Sequence, residues 1–270
     1  PENRILKYPM KKYWFIFQTQ LINSLAYPGE LIGRALTILP FMWIFYQLWS
    51  VTFASTGQTE MNGLTLKMTM WYFVVTEVIE ISRPRVGNTI SETVRDGSIA
   101  YLLSKPYNFM LYHYATAMGG TIFHALFNIL FGGGLIWWLV GAPPSLMGVA
   151  MVLPALLGAW ALHFCIAALI GLLAFIVEDI SAFLWIFQKA AFVFGGLLIP
   201  LDFYPGWMRT IANFLPFASL SYAPARLFIS PSPQAFFAVI GQQILWLGIL
   251  GLALTFFYHR AVRFLTINGG

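Results

Sequence analysis

An all-α membrane protein with six transmembrane helices is what this sequence predicts, and three observations carry the prediction. Hydrophobic residues make up 59% of the chain and charged residues 9%, against roughly 25% charged in a soluble domain. So few charges cannot cover the surface of a water-soluble protein 270 residues long. The stretch from Pro106 to Val177 holds no Asp, Glu, Lys or Arg. The basic residues also cluster in alternate connections, as cytoplasmic loops require.

A spanning helix needs about 20 mainly apolar residues at ~1.5 Å rise each. Six segments qualify: Leu31–Trp49, Leu64–Ile81, Phe109–Val140, Leu156–Val177, Ser181–Leu201 and Phe236–Tyr258. The second is interrupted by Lys67, Glu77 and Glu80, and the third is long enough to require tilt. Pro154 is expected to separate a short segment, Met147–Leu153, from the fourth span. Arg4, Lys7, Lys11 and Lys12, then Arg83, Arg85, Arg95 and Lys105, then Arg260 and Arg263 fall on one side, with both termini. The connections Ser50–Gly63 and Gly141–Ser145 hold no Lys or Arg, and the last outer segment holds only Arg209 and Arg226. By the positive-inside rule the basic side is cytoplasmic. Trp49, Trp137 and Trp138 then mark the outer interface and Tyr258 the inner one, while Trp71, Trp160, Trp185 and Trp246 read as packing residues. Ala155/Ala159 and Ala167/Gly171 would let the fourth helix approach a neighbour closely.

Three segments are not spans. Residues 1–30 carry an amphipathic helix, Lys11–Tyr27, with Trp14, Phe17, Leu21 and Leu25 on one face and Lys12, Thr19 and Asn23 opposite. A basic, aromatic helix of this kind lies in the membrane interface, as an anchor or as part of a gate. Residues 83–105 form a cytoplasmic loop in which Thr89 and Glu92 fit a capping box and Gly97 suits a left-handed C-cap. A charged helix, Ile90–Asp96, followed by the half-apolar Ile99–Leu103 suits docking on a soluble partner; a solvated loop is the bland alternative. Residues 202–235 hold prolines at Pro205, Pro216, Pro224, Pro231 and Pro233, which rule out one continuous helix. Trp207, Met208, Ile211, Phe214 and Leu215 are too apolar for a free loop, so short helices dipping into the outer leaflet are expected.

Charges inside spans are costly and are functional candidates. Lys189 and Glu77 are expected to pair across spans five and two, and Glu80 to face Arg34. A lysine facing the pathway, or static ion pairs and snorkelling, are the alternatives. Lone Cys165 excludes a disulfide framework and reads as a small buried hydrophobe. His113, His124, His163 and His259 are scattered, and no metal or catalytic set is legible. There is no phosphate-cradling GxxxxGK[ST] loop and no ABC signature sequence, so ATP is expected to be hydrolysed elsewhere, and no cofactor is expected on this chain.

Two stretches resemble the ABC-2 type permeases, in particular a bacterial six-span subfamily. The loop ISETVRDGSIAYLLSKP resembles the subfamily's pattern through Ile90, Val94, Arg95, Gly97, Ile99, Leu103, Lys105 and Pro106. The segment GGLLIPLDFYPGWMRTIANFLPFASLSYAPARLFI resembles its stretch between spans five and six through Pro200, Pro205, Trp207, Leu215, Pro216, Phe217 and Pro224. The resemblance implies one domain over residues 1–270, a dimer with the same chain or a sister permease, and a separate cytoplasmic ABC ATPase carrying ATP and Mg. It implies that Thr89, Glu92, Arg95, Asp96, Ile99, Leu102 and Leu103 couple to that ATPase. It likewise implies that Pro205, Trp207, Phe214, Pro216 and Phe217 close the pathway outside, and that the amphipathic helix gates it. The expected function is an ABC exporter or flippase in the bacterial inner membrane. Its substrate would be amphipathic or polymeric, its other partners lipids and not nucleic acid. An ion-coupled secondary carrier would need an inverted repeat and a midplane ion site. A membrane enzyme would have to draw on Glu178, Asp179 and His163.

Overall fold

The computed structural model of the chain describes residues 10–26 and 28–268, with side chains as far as residue 263. Arg4 and Lys7, and Tyr27 at the end of the expected interfacial helix, lie outside the described residues. Among the described residues one two-stranded hairpin, β1 (Glu60–Met61) and β2 (Leu64–Thr65), interrupts a succession of helices. Asn62 and Gly63 turn it with φ of 51° and 78°, as a two-residue Asn-Gly hairpin requires.

The centre of the bundle is α4 (Leu66–Ser82), in which every residue from Thr69 to Glu80 is buried. A helix apolar nearly all round must be enclosed. Around it lie α3 (Ile38–Thr56), α7 (Phe109–Asn128) with its continuation α8 (Gly134–Val140), α9 (Leu146–Gly171) and α13 (Tyr222–Ile229). Ile38, Met42, Phe45, Trp49 and Phe53 form the buried stripe of α3, and Phe45 stacks on Phe73 with ring centroids 4.3 Å apart. Trp49 is therefore a core residue and not an interfacial marker, because this stripe needs a large side chain one turn above Phe45. Trp137 and Trp138 are exposed, as expected of anchors. Trp185 is exposed too and does not serve the core.

Among the described residues, four helices are long and apolar enough to cross a membrane: Pro28–Thr56, Phe109–Val140, Leu146–Phe175 and Pro233–Arg263. They coincide with expected spans one, three, four and six. The first is broken between α2 (Pro28–Leu36) and α3 at Thr37. Pro40 has no N–H for the Leu36 carbonyl, and the Thr37 amide donates instead to Arg34 at 3.2 Å. The third holds a π-helical turn over Ile129–Gly133. There a Cβ on Gly132 would stand 2.6 Å from Ile38, so glycine lets the two helices touch. Pro154 does not divide the fourth, contrary to expectation: α9 runs through it, since a membrane helix tolerates one unmatched carbonyl when neighbours pack around it. The sixth, α14 (Pro233–Asn268), is longer than expected at both ends.

The other two expected spans are short. At ~1.5 Å per residue, the 17 residues of α4 reach about 25 Å. The 14 of α10 (Ser181–Phe194) reach about 21 Å, less than the ~30 Å hydrocarbon core. The span expected over Ser181–Leu201 thus stops at Phe194. Gly196, at φ 69°, closes a C-terminal cap in which Leu197 donates to Phe192 and Gly196 to Val193. Backbone freed at this depth needs internal partners, and it has them: Tyr72 donates to the Gly196 carbonyl at 2.7 Å and Tyr204 to Val193 at 2.8 Å. Three short helices follow before α14: α11 (Gly206–Phe214), α12 (Phe217–Leu220) and α13.

The amphipathic helix is α1 (Lys11–Ala26), packed along α7. Its inward face is Tyr13, Ile16, Phe17, Gln20, Leu21 and Ser24, while Trp14 and Leu25 are exposed with Phe15 and Ile22. The face that packs is therefore rotated from the expected one, because Gly119 of α7 admits the α1 backbone: a Cβ there would lie 2.8 Å from the Phe17 carbonyl. Lys12 donates to Pro106 and the Asn108 amide to Tyr13, which ties α1 to the start of α7.

Candidate coupling and translocation sites

The expected coupling loop forms two helices, α5 (Val86–Arg95) and α6 (Ile99–Leu103), at the basic end of the bundle. Val86, Gly87, Ile90 and Ser91 are buried and Asn88, Thr89, Glu92, Arg95 and Asp96 exposed, so α5 has two clean faces. Thr89 lies inside the helix and is not its N-cap. Burying Val86 and Ile90 one turn apart starts the helix earlier than a Thr89 cap would, and tertiary packing outweighs local capping. Gly97 does take the left-handed position, at φ 75°. Hydrogen bonds from the Ser98 side chain and amide hold the Asp96 carboxyl below its usual range.

Beneath α5 lies the end of α9. A Cβ on Gly87 would stand 2.8 Å from the Ala167 carbonyl, and one on Gly171 would stand 3.2 Å from Gly87 Cα. Ala167/Gly171 does permit a close approach, but to α5 and not to another span. Ile99 is buried, and Leu102 and Leu103 are half-buried, in the cluster that holds Val86, Ile90, Phe109, Phe164 and Leu172. Ile99, Leu102 and Leu103 of α6 therefore face this chain. What α5 and α6 present outward is Thr89, Glu92, Arg95 and Asp96 with Ala100 and Tyr101.

The two charge pairs expected between spans do not form. Arg34 pairs with Glu30 at 2.6 Å and Glu80 with Arg83 at 2.8 Å, each within one helical turn. Glu77 is 6% exposed, with no ion pair or hydrogen bond to any described residue. Lys189 is exposed on the outer face of α10, over the rings of Trp185 and Phe192 at 5.5 and 5.1 Å. Spacing along two helices set their depth, but the rotation of α10 about its axis was not legible. Lys189→Gln is expected to change folded yield and activity by no more than about twofold. Glu77→Lys should lose both, with no rescue by Lys189→Glu. Size-exclusion yield and transport check this, and rescue by the swap would overturn it.

At the other end Asp202 is the organising residue. Its carboxylate accepts from Tyr222 at 3.2 Å and pairs with Arg226 at 3.4 Å, while Arg209 donates to the Leu201 and Asp202 carbonyls. Pro205 is exposed at the head of α11, whose Trp207 and Phe214 stand out at 68% and 80% exposed. Pro216 and Phe217 are half-buried, with Phe217 against Phe187 and Phe194. The five expected outer residues thus divide into an exposed ridge, Pro205, Trp207 and Phe214, and a half-buried pair, Pro216 and Phe217. An apolar cleft of about 360 Å³ opens between α4, α8, α9 and α13, walled by Trp71, Val75, Ile129, Trp137, Leu156 and Phe228.

The sequence pattern that defines the "ABC-2 family transporter protein" family matches residues 36–269. The chain belongs to that family. It is a multi-pass membrane protein and the permease of an ABC transporter. No curated protein matches it. The matched range begins after α1.

Three residues with evident structural roles were missed in the permease sequence. Gly87 carries no signal by itself, because close approach depends on which helix lies opposite. Asp202 could have been noticed as a lone acid in an apolar, proline-rich stretch. Gln243 is buried in α14 and donates to the Ala155 and Ser219 carbonyls at 2.9 and 3.1 Å, which joins α9, α12 and α14; an amide inside a spanning segment was its signal. His163 is buried beside Phe187, whereas Asp179 lies at the surface capping α10 through Ser181, so these two do not meet as a catalytic set would.

Proposed function

We propose that this permease is the membrane-spanning half of an ABC exporter or flippase in a bacterial inner membrane, driven by an ABC ATPase on a separate chain. The observation that carries it is the seat of α5. Its outer face offers Glu92, Arg95 and Asp96 to a soluble partner, while its inner face lies on α9 with glycine against glycine. A partner that pushes on this helix moves α9, and α9 packs along α14. Force applied at the basic end therefore reaches two spans without a flexible intermediate.

The basic end is cytoplasmic in this reading, which puts six spans in the order in, out, in, out, in, out. Two permeases, identical or sister chains, line the pathway. The exposed ridge of α11 covers its outer mouth, and α1 borders the inner one. An amphipathic substrate suits the apolar cleft beside Trp71 and Phe228.

The test is affinity isolation of the tagged permease from native membranes, with mass spectrometry of its companions. An ABC ATPase is expected in stoichiometric amount, and Arg95→Glu with Asp96→Lys should deplete it about tenfold or more. A second permease in the same sample would decide for a heterodimer. Absence of any ATPase under gentle extraction would defeat the reading and leave an ion-coupled carrier, with unpaired Glu77 as the residue to pursue.

A further inference from the structure

Three arginines and two histidines line one cleft at the basic end, bounded by α1, α2, α4, α5 and α7. Arg34 comes from α2, Arg83 and Arg85 from the connection after α4, and His113 and His124 from α7, with Gln20 of α1 beside them. Arg34 and Arg83 each have one carboxylate, Glu30 and Glu80. No ion pair or hydrogen bond holds Arg85 among the described residues. Arg85 stands exposed at the rim; partial burial, followed by the fields of Arg34 and Arg83, depresses its guanidinium from the ordinary value, and Glu80 opposes that shift. His113 is 4% exposed, and its Nε2 is buried without a hydrogen-bond partner. His124 spends Nδ1 on the Gly120 carbonyl at 2.8 Å.

One guanidinium without a carboxylate partner, Arg85, beside two that have one each, Arg34 and Arg83, leaves donors and net positive charge for an oxyanion, and planar guanidinium groups suit phosphate in particular. Size narrows the ligand further. The cleft holds about 210 Å³, below the ~300–1,000 Å³ of pockets that enclose a whole drug-sized molecule. It accommodates a headgroup and leaves any acyl chain outside, along the exposed apolar residues of α1 and α2.

We propose that this cleft is a phosphate-binding site, with Arg85 and Arg34 as the main contacts and His113 in its buried wall. The phosphate is that of an anionic lipid headgroup or of a free phosphate ester. Access from the cytoplasmic leaflet rests on the orientation proposed above. Binding itself depends on neither that orientation nor the ATPase, so the two readings fail separately.

The test titrates the purified permease in neutral detergent with dihexanoyl phosphatidic acid and with dihexanoylglycerol, which lacks the phosphate, and reads bound ligand by native mass spectrometry. Phosphatidic acid is expected to bind and dihexanoylglycerol not. Arg34→Gln with Arg85→Gln should weaken binding about tenfold or more. Arg85→Gln alone, which breaks no ion pair, should elute as the wild type does and still bind more weakly. Displacement by inorganic phosphate would show that the free group suffices; lipid binding that phosphate cannot displace, yet lost in the variants, would assign the site to a lipid headgroup. Equal binding of the two dihexanoyl compounds, or wild-type binding by folded Arg85→Gln, would overturn the proposal.

Discussion

Gly87→Leu is expected to abolish transport and partner-stimulated ATP hydrolysis, and Gly87→Ala to reduce both. Even the alanine Cβ would lie 2.8 Å from the Ala167 carbonyl and 2.9 Å from Leu184. Leu184 can rotate, but a backbone carbonyl inside α9 cannot, so α5 itself must lift. Overpacking of this kind costs about 1–3 kcal/mol, and the displaced helix is the proposed receiver of the ATPase stroke. Gly206 and Gly29 provide the contrast: a Cβ at either meets nothing within 4 Å and the backbone is unstrained, so alanine there should be neutral. Gly97 is an intermediate case, with open space but φ at 75°, where alanine costs roughly 1 kcal/mol. Reconstituted transport alongside size-exclusion yield separates lost coupling from lost folding. Full activity of Gly87→Leu would remove the mechanical link between α5 and α9.

Asp202→Ala should be the most damaging single change at the opposite end. It removes the acceptor of Tyr222 and the partner of Arg226, and leaves that half-buried arginine without its carboxylate. Breaking a buried pair from one side costs about 3–5 kcal/mol; Arg226 is 30% exposed, which places the expected loss near the lower figure. Asp202→Asn keeps an oxygen for Tyr222 and should lose about half as much. Thermal unfolding in detergent reads both. The order alanine, asparagine, wild type in rising stability is expected, and equal midpoints for all three would show that the α11–α13 assembly is held by its apolar contacts alone.

The legible parts of this permease share a cause. The long apolar runs became helices because a chain with 9% charged residues leaves few other solutions in a bilayer. Gly97 was legible because a left-handed cap is a local property of the backbone. Thr89 was not, since its capping box lost to the burial of Val86 and Ile90 on a helix some 80 residues away in sequence. The expected Glu80–Arg34 pair failed for a related reason. Glu80 and Arg34 each found a partner one turn away, at lower ordering cost than a partner on another span. The coupling residues were found as a segment, yet their division into an outward polar face and inward Ile99, Leu102 and Leu103 awaited the position of α9.

By itself the sequence determined the membrane class, the approximate order of the helices, the left-handed cap at Gly97, and the end of the bundle that carries the basic charge. These are one-dimensional properties, fixed by solvent and by local backbone chemistry. Tertiary structure alone decided that α10 ends early under Tyr72 and Tyr204, that Asp202 gathers Tyr222 and Arg226, that Gly87 meets Gly171, and that Arg34, Arg83 and Arg85 share a cleft with His113. Each of those depends on the rotation and height of one helix against another. Side-chain packing sets both, and no spacing along a single segment encodes either.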